Sequence, residues 1–261
     1  MTKDPESTRE TWSGTMQREL DKARRLYHEG AWKEAISLLN RFPHRSFVPR
    51  NIVASMDIVE GWSWYYLGIK GARFRRRGRV EQSRRAFERA SQNAVDKRNK
   101  VSVLNGLPLV LWHLGDRIQS WKYSDQATDQ YQDEPSVWDI RAILLQLDRY
   151  PETSLAFFEK AYELAMEEGD HRTAAHTRKN EAGLLRETGR VEESGRLYQE
   201  ALELYRKSQE SAGESARFHI DDVEQELASL YTPKLLRPAA MLFRKATKHQ
   251  GLKAPTRSSP L

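Results

Sequence analysis

Apolar residues recur along most of the chain at intervals of three and four, with polar residues between them. This spacing is typical of amphipathic helices, because residues three and four apart share one helix face. Glycine and proline interrupt the pattern, as in RETGRVEESG, where a second helix resumes directly after Gly189. Glycine suits such a turn because it readily adopts positive φ at a helix end. The chain is therefore predicted to be a series of helical hairpins.

Pairs of small residues repeat inside these predicted hairpins. The three clearest pairs, each twelve residues apart, are Gly71 and Ser83, Ala142 and Ser154, and Ala182 and Ser194. Two antiparallel helices approach closely only where small residues face each other, and bulky residues one turn away fill the adjoining grooves. Each pair is therefore predicted to mark the contact between the two helices of one hairpin. Gly78 and Gly189, each seven residues after the first member of its pair, are predicted turn residues.

This arrangement resembles the tetratricopeptide repeat family. The resemblance is carried best by WDIRAILLQLDRYPETSLAFFEKAYELA, RKNEAGLLRETGRVEESGRLYQEALELY and LGIKGARFRRRGRVEQSRRAFERA. Two further segments, with Ala23 and Pro108 in the place of the first small residue, match less closely. Because proline disrupts a helix interior, we expect the helix around Pro108 to kink or to start late. The resemblance implies an all-α, right-handed α-solenoid of about five helical hairpins.

The predicted chain has four parts. A flexible N-terminus, residues 1–15, precedes the repeats, which occupy 16–210 and divide near 16–48, 49–97, 101–133, 135–169 and 171–208. The segment 211–231 has apolar residues at helical spacing and is predicted to be a capping helix, because a solenoid needs one to cover its last apolar face. Residues 232–261 form a basic tail that is predicted to be partly flexible.

In the family that the chain resembles, the first helices of successive repeats line a concave groove. Aromatic rings and guanidinium groups in such a groove suit a peptide or protein partner of acidic character. The resemblance thus implies a non-enzymatic interaction scaffold with this groove as its binding site. The predicted groove residues are Arg24, Tyr27, His28, Tyr65, Arg75, Arg76, Asn105, Trp112, His113, His176, Lys179, Asn180 and Arg186.

The positive charge is concentrated in two segments. Lys70 to Lys100 contains twelve Lys or Arg against three Asp or Glu, and 232–261 contains seven against none. One interpretation of the band from Arg73 to Arg89 is a solvated helix face with internal ion pairs. The alternative is that the band and the tail bind nucleic acid or an anionic surface, which would make binding strongly salt-dependent.

No catalytic arrangement emerges from the residues that could support one. The chain has no cysteine, which excludes disulfides and thiolate metal sites, and its seven histidines never form HxxxH or HExxH. The sequence therefore predicts neither an enzyme nor a bound cofactor or metal. It also contains neither a signal-peptide core nor a run of about 20 apolar residues, so a soluble, cytoplasmic protein is expected.

Overall fold

The computed structural model describes residues 5–42, 48–212 and 217–231, and these form eleven α-helices and no strand. The helices are α1 (Pro5–His28), α2 (Trp32–Leu39), α3 (Arg50–Ile69), α4 (Arg76–Asn93), α5 (Lys97–Leu114), α6 (Arg117–Gln130), α7 (Pro135–Leu147), α8 (Pro151–Glu167), α9 (His171–Glu187), α10 (Val191–Ala212) and α11 (Arg217–Leu230). A short 3₁₀ turn, Arg73–Arg75, precedes α4. The predicted all-α helical-repeat fold is confirmed.

Each odd-numbered helix from α1 to α9 packs against the helix that follows it, which gives five hairpins. Local residues set their ends. Asp96, Asp116 and Asp170 cap the N-termini of α5, α6 and α9 by accepting a backbone N–H bond, and Gly189 turns between α9 and α10 with φ of +85°. The fourth hairpin turns at Arg149, which takes a positive φ of 69° in place of a glycine.

A buried serine fastens the two helices of four hairpins. The hydroxyls of Ser120, Ser154 and Ser194 each donate to a carbonyl twelve residues earlier at 2.7 Å, and all three side chains are fully buried. In the second hairpin, however, Ser83 donates to Gly61 and not to Gly71. The facing position in α3 is therefore Gly61, and the alignment of this repeat on Gly71 is wrong.

The predicted turn at Gly78 is wrong for the same reason. Helix α3 continues to Ile69, so the turn falls at Lys70–Arg75 and Gly78 lies within α4. Pro108 did not delay its helix either, because α5 begins at Lys97 and includes it.

The ends of the chain differ from expectation in detail. Helix α1 begins at Pro5, so 5–15 is helical rather than flexible, while 1–4 and the predicted tail at 232–261 lie outside the described residues. Within the segment predicted as a capping helix, α11 packs Val223 and its neighbours Leu227 and Leu230 on the buried core of α9 and α10.

Candidate functional site

The inner surface of the solenoid encloses a cavity of about 820 Å³. The N-terminal ends of α5, α7, α9 and α11 converge on it, and the end of α1 closes the opposite side. Its lining comprises Tyr27, His28, Trp62, Lys97, Arg98, Val101, Ser102, Asn105, Glu134, Pro135, Ser136, Glu168, Gly169, Asp170, His171, Arg172, Thr173, His176, Ser208 and His219. A cavity of this size lies in the range of ligand-binding sites in proteins.

The first and last hairpins meet beside this cavity. A guanidinium nitrogen of Arg172, at the start of α9, lies 2.6 Å from Nδ1 of His28, at the end of α1. The first and last hairpins therefore bound the cavity together, and it stays partly open to solvent.

Four of the thirteen predicted groove residues line the cavity: Tyr27, His28, Asn105 and His176. Arg24 lies one turn before His28 on α1 and is held by Asp21 at 3.4 Å. These five residues come from the first, third and fifth hairpins, so the structure brings together positions that are far apart in the sequence.

Other predicted groove residues do not line the cavity, and their side chains contact residues of the same chain instead. Tyr65 Oη lies 3.3 Å from His113 Nε2, and the indole N–H of Trp112 donates to Asp148 at 2.8 Å. The side-chain amide of Asn180 donates to the buried carboxylate of Asp139 at 3.1 Å. Burial raises the pKa of Asp139 to about 6, and the bond from Asn180 opposes this rise.

Lys179 and Arg186 are occupied by α11. Lys179 Nζ lies 2.5 Å from Asp222, and Arg186 pairs with Glu226. Burial alone would raise the pKa of Asp222, but Lys179 and Lys70 together lower it to about 2. Two of the predicted partner-binding cations thus already hold carboxylates of the same chain.

Arg75 and Arg76 do not reach the cavity. Arg75 is exposed in the 3₁₀ turn beside Phe74, and Arg76 begins α4. Counting from Gly61 instead of Gly71 replaces them with Tyr65 and Tyr66, four and five residues later. Trp62 directly follows Gly61, as Arg24 directly follows Ala23. It lines the cavity, and the sequence argument missed it. The signal was present in GWSWYYLG, where a small residue precedes the aromatic run.

Three histidines near the cavity are held neutral. Burial, reinforced by Arg172, lowers the pKa of His28 to about 3, and burial with Lys179 does the same for His219. The pKa of His176 is lowered well below its ordinary value by burial, and its Nδ1 lies 2.9 Å from Tyr205 Oη.

Several polar groups of the lining have no hydrogen-bond partner among the described residues. They are Oδ1 of Asn105, Nδ1 of His171 and both ring nitrogens of His219. Arg98 forms no ion pair with any residue that the structure describes, although it lies close enough to lower the pKa of His28. Buried polar atoms in native proteins are nearly always satisfied, so these groups are suited to contact a ligand.

Three of the eight arginines in the basic band form ion pairs with nearby carboxylates in the described part of the chain. Arg84 pairs with Glu81 and Glu88, and Arg89 with Asp57 and Glu60. These pairs correspond to the interpretation of the band as a solvated helix face. Binding of nucleic acid or an anionic surface stays a prediction, since the tail it invokes lies outside the described residues.

Within the described part of the chain, no group of three or more His, Asp or Glu side chains could hold a metal ion. None of the helices described there is both long and apolar enough to cross a membrane.

Comparison with known proteins gives a repeat-family match over part of the chain and a similar fold. The sequence model of the tetratricopeptide repeat matches residues 133–207, which cover most of the fourth and fifth hairpins. A search of curated proteins finds no match. The crystal structure of Rap protein complexed with Competence and Sporulation Factor is similar over 92% of this chain and 77% of that one, with 13% identity and a TM-score of 0.52. YrrB, described as a TPR protein with an unusual peptide-binding site, is similar over 71% of this chain and 84% of that one, with 13% identity and a TM-score of 0.38.

Proposed function

We propose that the chain is a protein-interaction scaffold that holds a segment of a peptide or protein partner in its central cavity, which is supported by the match of residues 133–207 to the tetratricopeptide repeat model. The observation that carries this proposal is the convergence of inward-facing side chains from all five hairpins and α11 on one cavity of about 820 Å³. A cavity of this size, bounded on several sides, suits a short segment rather than a long extended one.

The lining supplies the contacts that a peptide needs. Tyr27 and Trp62 offer broad apolar surfaces, and the unpartnered oxygen of Asn105 can accept a backbone N–H. Arg98, with no ion pair among the described residues, is available to an acidic side chain. These features support a partner of acidic character. The Rap protein, which shares the fold, was crystallised with a bound factor, and this agrees with a binding role.

The proposal is tested by filling the cavity. Peptides would be selected from a random display library on the full-length protein, and their affinities measured by fluorescence anisotropy. Ser102→Trp places a large ring in the cavity, and we expect it to weaken the selected peptides at least tenfold, about 1.4 kcal/mol. Gln126→Trp adds the same ring to the exposed outer face of α6 and should leave affinity unchanged. Equal affinity for both variants would refute the cavity as the binding site.

A charge reversal tests the acidic character of the partner. Arg98→Glu should weaken acidic peptides more than fivefold, because it replaces attraction by repulsion at the cavity wall. Arg75→Glu, which makes the same change on the exposed 3₁₀ turn, is the matched control. Equal losses in the two variants would indicate a general charge effect and remove Arg98 from the site.

A further inference from the structure

Helix α11 presents two different faces to the rest of the molecule. Val223, Leu227 and Leu230 pack on α9 and α10 as in any terminal helix of a solenoid. Phe218, Asp222 and Glu226 follow one another at four-residue intervals, so they form a single stripe along the helix. This stripe is turned toward residues of the first, second and fifth hairpins.

The contacts of the stripe are specific. The ring of Phe218 meets Trp32 edge to face at 5.4 Å and lies so close to Gly30 that a Cβ there would stand 2.6 Å from it. Lys70 Nζ lies 5.0 Å from the centre of the same ring and 2.8 Å from Asp222.

The receiving surface is complementary to the stripe in charge. Lys179 holds the second oxygen of Asp222, and Arg186 pairs with Glu226 one turn further along. An aromatic contact at Gly30 and Trp32 is thus followed by three cations that meet two carboxylates. We call Gly30, Trp32, Lys70, Lys179 and Arg186 the α11 platform.

Docking of α11 buries polar groups that are exposed to water when the helix is released. Both ring nitrogens of His219 lack a hydrogen-bond partner among the described residues, although this residue is only 7% exposed. The Asp222 carboxylate is also largely withdrawn from water. Unsatisfied buried groups reduce the free energy gained by docking, whereas release of α11 would return them to water.

We propose that the α11 platform is an exchangeable docking site for an acidic amphipathic helix, recognised by an aromatic residue followed at four and eight positions by two acids, and that α11 is its resident occupant. A partner helix with this pattern competes with α11, which has the advantage of being tethered. The proposal goes beyond the cavity and does not depend on a ligand there, since the platform residues do not line it.

The test supplies α11 in trans. A fluorescein-labelled peptide of residues 217–231, RFHIDDVEQELASLY, is titrated with full-length protein in which Phe218, Asp222 and Glu226 are all replaced by alanine. We expect saturable binding, at least tenfold tighter than to the wild type, whose platform is occupied. Adding Lys179→Glu should abolish it, and a peptide carrying the three alanines should not bind.

Two controls make the result decisive. Replacing the exposed Glu224 and Gln225 by alanine changes the other side of α11, so this variant should bind the peptide no better than the wild type does. Hydrogen exchange over 217–231 should be faster in the triple variant than in this control. If circular dichroism shows that the triple variant has lost more helix than α11 itself contributes, Asp222→Asn replaces it, with about a fivefold gain expected.

Three outcomes would overturn the proposal. They are unchanged protection of 217–231 in the triple variant, absence of peptide binding when that protection is lost, and equal binding to wild type and variant. None of them bears on the cavity, because Ser102→Trp and Arg98→Glu leave the α11 platform intact.

Discussion

The contact within a hairpin and the contact between the two ends of the solenoid are built from different chemistry. Inside the hairpins, fully buried small residues such as Ser154 and Ala142 let the helices touch, and one hydroxyl-to-carbonyl bond fixes them. At the ends, the contacts are His28 with Arg172 and Lys70 with Asp222, which are charged or aromatic and only partly buried.

The difference lies in sequence distance as well as in chemistry. The serine bond of three hairpins spans twelve residues, whereas the two end contacts span 144 and 152. A local contact needs only two neighbouring helices to form, but an end contact needs every intervening hairpin to have its native angle. Substitutions inside a hairpin should therefore reduce the free energy of unfolding more than substitutions at the contact between the ends.

The largest effect is expected from Phe87→Ala in the second hairpin. Phe87 is fully buried, packs on Trp62 and occupies the space beside Gly106 where a Cβ would collide. Truncating such a ring leaves a cavity and should cost about 3–5 kcal/mol of unfolding free energy. Urea denaturation followed by circular dichroism measures it, and a loss below about 1.5 kcal/mol would show that this interior is not dominant.

The matched control for that variant is Phe74→Ala. Phe74 belongs to the same repeat but is 82% exposed in the turn before α4. Its removal should change stability by less than about 0.5 kcal/mol, as is usual for exposed positions.

The hairpins were predictable because their determinants are local. Small residues twelve apart, and glycine turns such as Gly189, follow directly from the letters of the chain. The register of the second hairpin was predicted wrongly because α3 continues past Gly61 to Ile69. Ser83 therefore lies 22 residues after the glycine that it contacts. Gly71 stands at the usual distance of twelve residues, so the spacing alone favours it over Gly61.

The inner surface was predictable only in part. Tyr27, His28, Asn105 and His176 line the cavity as expected, because the family resemblance gave the repeat register and helical periodicity gave the residues that share its inner face. The ion pairs of Lys179 and Arg186 with α11 could not be predicted from the sequence. They depend on the curvature of the solenoid and on the position of its last helix.

A smaller effect on the free energy of unfolding is expected from alanine substitutions at two glycines, one of which lies at the end contact. Gly30 and Gly189 both have positive φ, of +75° and +85°, but only Gly30 faces another residue, Phe218. Gly189→Ala should therefore cost only backbone strain, about 1–2 kcal/mol, while Gly30→Ala should cost about 1 kcal/mol more. Urea denaturation compares them.

Phe218→Ala in the Gly30→Ala background isolates the source of that difference. If the ring causes the excess, the double variant should lose about 1 kcal/mol less unfolding free energy than the sum of the two single variants. Equal costs for the two glycines would mean that the Phe218 ring does not restrict the space at Gly30.

The smallest effect, and the one with the opposite sign, is expected from His219→Phe. The His219 ring stacks on Tyr205 at 5.3 Å, and phenylalanine keeps this stacking while removing two nitrogens without described partners. The variant should be about 1 kcal/mol more stable than the wild type at pH 7.5, measured by urea denaturation. A loss of stability would mean that these nitrogens contribute a favourable contact.

The same variant should also lose part of the pH dependence. The pKa of His219 is about 3 in the folded chain and near 6.5 when unfolded, so the unfolded state binds more protons below pH 6.5 and the wild type loses stability as pH falls toward 3. The titratable and charged groups that face the ring are Tyr205 on α10, Arg172, His176 and Lys179 on α9, His28 on α1 and Asp222 on α11. His28 and His176 remain, so both proteins should weaken on acidification. The advantage of His219→Phe should nevertheless grow by about 1 kcal/mol between pH 7.5 and 5.5, and a constant advantage would show that His219 becomes protonated in the folded end contact.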